Sequence, residues 1–390
     1  MSVVHQMGHH SNNLIDLPEM SAYSGAIFSP INCTEAEASQ QIDDVRNSRK
    51  DFDIILDPQL YVPATQRGKL RKWEYFPKDV DSADLSSSRW WSDLNKKLST
   101  VSRKIKVNSV CSPVVIPKAF DDKFYSMSVK VCDDLLALSA SQKVRVFQTL
   151  LVNLSELSDA ARSPQIASII SRTEADEIYL IFVSSVIPRR ELTAVDDLVG
   201  AMRLIRSLEQ DDLKVTVGFC SSDILLWKTA GASTCASGKF FNLRRFTRQR
   251  FEEPTAEGGG QLPYWFEEGL LSFLREGDIL RVRKQDLFSE ASKRNPFCLE
   301  ILALIDGAQQ THADLKPWLK LSWRQFLFWF ANMEARLAGR EITSSDLLSA
   351  ADANWKKLDK AKVFMEERDN DGTWIRDWLN VITEFQAASH

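Results

Sequence analysis

Basic residues are missing from the first 45 positions: Arg46 is the first Lys or Arg in a 390-residue chain that holds 49 of them against 53 acids. The basic start of a secretory signal and an Arg-rich transit peptide are thereby excluded, and a cytoplasmic location is expected. Long apolar runs are missing as well. The longest, Tyr179 to Ile187, is interrupted by Ser184 and Ser185 and falls short of the roughly eighteen residues of a membrane span, so no membrane partner is expected. Cysteine is sparse and scattered: Cys33, Cys111, Cys132, Cys220, Cys235 and Cys298 include no CxxC pair, which excludes a zinc-ribbon spacing and argues for reduced thiols. No metal site is expected from them. Histidine is rarer still, with His5, His9 and His10 near the start, His312 in the last third and His390 at the end. Between residues 51 and 257 a histidine-based mechanism has no residue to use.

The familiar chemical signatures are absent too: P-loop, GxGxxG turn, HExxH, GxSxG elbow, EF-hand loop and zinc-deaminase pattern. No cofactor is implied. What remains is an ordinary globular composition, 44% apolar and 26% charged with a net charge of −4, which excludes collagen, bulk disorder and a wholesale polycationic binder. The length suffices for two domains or for one large barrel with an appendage.

Three compositional regions follow. Residues 1–50 are acidic and rich in Ser, Asn and Gln, which predicts a polar N-terminal extension. Residues 51–257 alternate apolar runs with helical periods. Asp53 to Asp57 reads as a strand-length run ending at Pro58, and the stretch from Ile105 to Ile116 contains a second. Val146 to Leu154 fits a strand or a helix equally, and Glu177 to Ile187 is strongly β-branched and aromatic. Helices are expected over Trp90–Leu98, Phe124–Ala140 and Thr193–Leu208. Lys214–Phe219 then reads as a strand, and a helix capped by Ser222 runs from Asp223 to Ala230. Gly231 stops it before a last strand at Ala232–Ala236. Strands apolar on both faces, alternating with helices, call for parallel pairing. With no glycine-rich first turn, a TIM-like (β/α) barrel, complete or degenerate, fits better than a doubly wound sheet. Residues 258–390 follow the Gly258-Gly259-Gly260 run and hold seven of the eleven tryptophans, predicting an all-helical C-terminal domain. There Ser322 and Gln325 suggest a capping box ahead of an apolar stripe of Trp323, Phe326, Leu327 and Phe330. Such a stripe serves as core or as a docking face for the barrel, for another protein subunit or for stacked bases.

Functional side chains of parallel sheets lie at the C-terminal ends of strands. That filter selects Asp57 and Gln59, Lys118, Ser184 and Ser185, and the Cys220–Asp223 turn. Asp57, after DIIL and before Pro58, is a candidate nucleophile or general base, although Asp before Pro also forms plain turns. Asp223 is the second candidate catalytic carboxylate, with dipole capping as its ordinary alternative. The segment Ser237 to Arg250 then carries Lys239, Arg244, Arg245, Arg248 and Arg250 with no acid among them, interleaved with Phe240, Phe241 and Phe246. Ser237, Gly238, Lys239, Asn242, Arg244, Arg245 and Arg248 are the expected phosphate or nucleic-acid contacts, since arginine forks and backbone N–H groups hold phosphate and aromatic rings stack on bases. A weaker basic cluster runs through Arg67, Lys69, Arg71 and Lys72 to Trp73. Further on, Glu267 or Glu268 could reach the barrel mouth from a segment that reads as a helix start.

The strand ending at Asp57, the GFCSSDILLWKTAGASTCASG unit and the basic stretch after it resemble TIM-barrel proteins related to tRNA-guanine transglycosylase, including those of DNA-modification and phage-defence clusters. The resemblance spans residues 51–255. It implies base exchange through an aspartate nucleophile, which would be Asp57, and a nucleic-acid partner, DNA or RNA. The family's structural zinc has no matching cysteine spacing here. A noncatalytic subunit of a multiprotein complex, and an enzyme for a small phosphorylated ligand, are the alternatives.

Overall fold

The computed structural model describes residues 3–9, 11–253, 262–311 and 317–388. Eight parallel strands close into a barrel in chain order. They are β1 (Val3–Gln6), β2 (Tyr23–Phe28), β3 (Asp53–Leu56), β4 (Ser109–Cys111), β5 (Arg145–Asn153), β6 (Glu177–Val183), β7 (Lys214–Val217) and β8 (Thr234–Ser237). The helices α1 (Asn12–Ile15), α2 (Glu35–Ser48), α3 (Ser88–Lys104), α4 (Asp122–Ser139), α5 (Arg162–Ile170), α6 (Val195–Gln210) and α7 (Ile224–Ala230) lie between them. The longest ladder joins β5 to β6, from Phe147 with Glu177 to Asn153 with Val183. Its β-branched, aromatic segments are buried on both faces, as a parallel strand under helices must be. At the seam, Val4 pairs with Ala236 and His5 with Ser237.

Residues 1–50 are therefore not an extension: they supply β1, β2 and α2, and the barrel begins at Val3. Their polar composition misleads because the polar groups are used internally. Gln6 accepts a hydrogen bond from Tyr179 at 3.1 Å inside the barrel, and the buried His5 ring meets Tyr23 edge-on. The helix α2 begins with a capping box, in which Thr34 Oγ1 accepts from the Glu37 N–H and Glu37 Oε2 from the Thr34 N–H.

Other local expectations also shift. The second strand shrinks to Ser109–Cys111. Ser222 does not cap α7; its hydroxyl donates to Glu191 Oε1 at 2.7 Å, and Asp223 takes the cap position. Gly231, at φ +103°, ends that helix in the left-handed region as expected.

The chain continues as a hairpin of β9 (Trp265–Glu267) and β10 (Ser272–Leu274), then α8 (Glu276–Lys284), α9 (Glu290–Arg294), α10 (Cys298–Thr311), α11 (Leu319–Ala338), α12 (Ser344–Lys360) and α13 (Trp374–Ala387). The C-terminal region is thus helical apart from one hairpin. The expected boundary at Glu257 and the glycine run lie outside the described residues, as do His10, His312 and His390. Ser322 and Gln325 form no capping box, because α11 starts three residues earlier. Gln325 instead clamps β9, accepting from Phe266 N at 2.8 Å and donating to Phe266 O at 2.9 Å.

The helix α11 covers the barrel seam, packed on β1, β8 and α7. There Tyr23 donates to Leu327 O at 2.9 Å, and the buried Lys228 and Glu334 pair at 2.9 Å. The helix α13 lies along α6, where Trp378 donates to Leu192 O and Arg206 stacks on Phe385. One continuous apolar core runs through barrel and C-terminal helices alike. Trp265, Trp318, Trp329, Trp355, Trp374 and Trp378 are buried in it, and Trp323 is half-buried against Lys239. The tryptophan-rich stripe is therefore used to dock the C-terminal region on the barrel; each large side chain contributes on the order of 2–3 kcal/mol by leaving water.

Candidate active site at the barrel mouth

The strand β3 delivers Asp57 to the C-terminal end of the barrel, where its N–H still bonds to Phe28 O. Pro58 then ends the ladder, and Gln59 takes a left-handed φ of +53°. That turn points the Gln59 N–H back at Asp57 Oδ1, at 2.9 Å. Tyr61 donates to Asp57 Oδ2 at 2.9 Å. The Gln59 side chain ties this turn to the β2 loop, donating to Ser29 Oγ at 3.0 Å and accepting from Ile31 N at 3.2 Å.

Asp57 is only 1% exposed. Burial raises its carboxyl from the usual 3.8 to about 7, against the opposing pull of the Gln59 N–H, the Tyr61 hydroxyl and the Arg250 charge. Beside it stands Tyr179, whose ring fits because position 218 is glycine: a Cβ there would lie 2.5 Å from the ring. Above the site, Phe246 and Phe251 pack edge-on to Tyr61, each at 5.0 Å between centroids, and Phe219 meets Phe246 at 5.3 Å. The loop after β8 thus lays an aromatic cover over Asp57.

That same loop divides the basic stretch. Arg244 lies beneath the surface, 3.6 Å from the Phe326 ring centroid and 4.8 Å from that of Phe273, donating to the Gly238 and Lys239 carbonyls at 2.9 Å. It anchors the C-terminal region and does not stand on the rim. Lys239 is likewise buried, over the Phe240 and Trp323 rings. Ser237 donates to Cys220 O at 2.6 Å, and Gly238 is pressed against Leu243 and the Gln6 carbonyl. These four leave the phosphate-contact set. For Lys239 and Arg244 the reason is that Trp323 and Phe326 come from the C-terminal region and cannot be seen in the local stretch, while Ser237 and Gly238 are held by Cys220, Leu243 and Gln6.

Arg245 lies between two carboxylates, 3.8 Å from Glu191 and 3.9 Å from Asp223. Asp223 Oδ1 accepts from Ser221 N at 2.7 Å, and burial raises its carboxyl, as it raises that of Glu191 to about 7. Asp223 therefore belongs to a buried ion cluster under the β6–β8 loops, separate from the Asp57 turn. Arg248 is exposed and bonds Glu252 at 2.6 Å. Asn242 accepts from Arg250 Nη1 at 3.1 Å, and Arg250 faces the mouth beside Asp57.

Of the second basic cluster, Arg67 lines a cleft next to Arg250, while Lys69 pairs with Glu37 at 2.7 Å and Trp73 donates to Cys33 O. Lys118 is exposed, and Ser184 accepts from Val186 N in a turn. Glu267 lies in a strand, not at a helix start, accepting from Trp265 Nε1 at 3.0 Å and from Gly269 and Ser289 N–H groups. His5 is buried outside the mouth and held neutral, down to about 3, by burial and the Lys239 charge. Among the described residues, no cluster of three His, Cys, Asp or Glu could hold a metal ion, and no helix is long and apolar enough to cross a membrane.

Asp57, which the sequence singled out, is thus a buried carboxyl at the end of a barrel strand with a hydrogen bond to each oxygen. Tyr61, Tyr179, Gln6, Glu191 and the special place of Arg250 were missed. Tyr179 stood in the strongest strand, but nothing local marks which face of it is the lumen. The opposite end of the barrel carries a structural bridge, Arg145 with Asp53 at 2.5 Å and Glu177 at 2.9 Å.

No family model matches the sequence, and no curated protein matches it either. Among the solved structures that are similar in part are these two. One is from the tryptophan synthase α2β2 complex of Pyrococcus furiosus, at 14% identity and a TM-score of 0.35, covering 61% of this chain and 87% of that one. The other is a putative sugar phosphate isomerase/epimerase from Anabaena variabilis, at 11% identity and a TM-score of 0.33, covering 67% of this chain and 93% of that one.

Proposed function

We propose that the protein is an enzyme whose barrel mouth binds a small polar substrate and uses Asp57 to move a proton. The observation that carries this reading is a carboxyl at the end of a barrel strand, buried, doubly hydrogen-bonded and poised near pH 7. General acid–base groups work best when their pKa is close to the working pH. An aspartate nucleophile, as the transglycosylase resemblance implies, is less well supported. Both oxygens of Asp57 already accept hydrogen bonds, and its raised pKa leaves much of it neutral at pH 7. Nucleic acid is also the less supported ligand: Lys239, Arg244 and Arg245 are occupied inside the protein, and Arg248 is paired with Glu252.

The test is metabolite profiling. A cell extract is incubated with the native protein and with Asp57→Asn, and small polar compounds are followed by mass spectrometry. At least one compound should be consumed by the native protein and spared by the variant, whose fold is checked by circular dichroism. Identical profiles from native protein, variant and buffer would remove the catalytic reading and leave a binding or assembly role.

A further inference from the structure

We propose that the cleft beside Asp57 is the binding site for the phosphate group of a small phosphomonoester, with Arg67 and Arg250 as its charge partners. This deepens the catalytic reading and rests on it in one respect: the phosphate is the handle by which the substrate is held next to Asp57.

The cleft measures about 370 Å³ and is walled by the loops after β2, β3 and β8, with Asn32, Arg67, Asn242, Thr247, Gln249 and Arg250 among its lining residues. Its lining residues include no carboxylate. They offer donors from two guanidinium groups, three side-chain amides and one hydroxyl, the amides and the hydroxyl being able to accept as well. Three of these donors are buried without a partner among the described residues: Asn32 Nδ2, Arg250 Nε and Arg250 Nη2. Buried donors are nearly always satisfied, so three on residues that line one cleft point to an acceptor-rich ligand. Asn242 has already committed its oxygen to Arg250 Nη1, which leaves its amide hydrogens to donate.

The two arginines are also close enough to disturb each other. After burial and the opposing pull of Asp57, the Arg67 charge pushes the Arg250 guanidinium further down. Two cations in a cleft whose lining carries no acid, with Asp57 behind only one of them, are relieved by an anion between them. A carboxylate has two oxygens for this array; a phosphate monoester has three, carries close to two charges, and suits the guanidinium fork bidentately. The volume leaves room for a small organic remainder extending toward Asp57.

The experiment is isothermal titration calorimetry with inorganic phosphate, ribose 5-phosphate and a 5′-phosphorylated single-stranded oligonucleotide as separate probes. The native protein, Arg250→Gln, Arg67→Gln and Asp57→Asn are compared. Phosphate and ribose 5-phosphate should bind the native protein, and Asp57→Asn should still bind them because Arg67 and Arg250 remain. Binding should weaken at least about tenfold in Arg250→Gln and severalfold in Arg67→Gln, which serves alone if Arg250→Gln does not fold. Equal affinity in native protein and arginine variants, no binding by the native protein, or binding of the oligonucleotide alone would each overturn the proposal. Asp57→Asn is read by binding here and by turnover in the profiling, so failure of the anion site and failure of the proton-transfer reading give different results.

Discussion

Tyr61 and Asp57 are locked together across the turn that Pro58 begins, the phenol donating to Oδ2 at 2.9 Å while its ring carries Phe246 and Phe251. The one side chain therefore pulls against the effect of burial on the carboxyl and supports the cover above it. A donor of this kind favours the ionised form.

Tyr61→Phe keeps the ring stack and deletes only the hydroxyl. The Asp57 carboxyl should then rise above its present value near 7, by about one unit if the lost charge-assisted bond contributes roughly 1.5 kcal/mol. Carbon-13 NMR titration of labelled aspartate measures this directly. A value that falls or stays put would show that the hydroxyl does not act on Oδ2 in solution.

Asp57 also makes stability depend on pH in a definite direction. Its folded-state pKa near 7 exceeds the ordinary 3.8, so between those values the folded chain holds a proton that the unfolded chain releases. Stability contributed by this group is present at low pH and is lost as pH rises through that window. Asp57→Asn removes the effect. Relative to the native protein, the variant should gain steadily from about pH 4 to about pH 7, by at most about 4 kcal/mol for a shift of roughly three units. Urea melts of both proteins at several pH values would show the two stability curves converging or crossing; parallel curves would contradict the assignment.

Arg244 is placed as an internal anchor, enclosed by Phe273 and Phe326 and hydrogen-bonded to two carbonyls. Burial has already pushed its guanidinium down to about 9, the cost of holding a cation among rings. Arg244→Ala should lower stability by about 3 kcal/mol and speed proteolytic cleavage within the C-terminal region. Limited proteolysis and thermal melts check it. A variant as stable as the native protein, with altered ligand binding only, would return Arg244 to the rim.

Legibility in the sequence followed the physics of each segment. The strand EIYLIFV was plain, being apolar on both faces, and Asp57 was marked by its place between DIIL and Pro58. The strands VVHQ and YSGAIF were hidden, because a barrel lumen accepts polar groups such as Gln6 when another strand satisfies them, and pattern reading assigns such groups to solvent. The basic stretch could not be sorted for a different reason. Whether an arginine meets a ligand or a ring is decided by residues such as Phe273 and Phe326 that fold over it from elsewhere in the chain.

The cover over the barrel seam sets an order on the making of the molecule. His5 must wait for Ser237 to be synthesised before the ring of strands can close. Only after α11, which ends at Ala338, has emerged can Tyr23 and its neighbours be shielded. An early-made strand pair held open for so long is a sticky edge, and pairings this distant along the chain form slowly. The strands of the barrel are thus all made before the helix that shields their seam, and the last third of the chain acts as its latch.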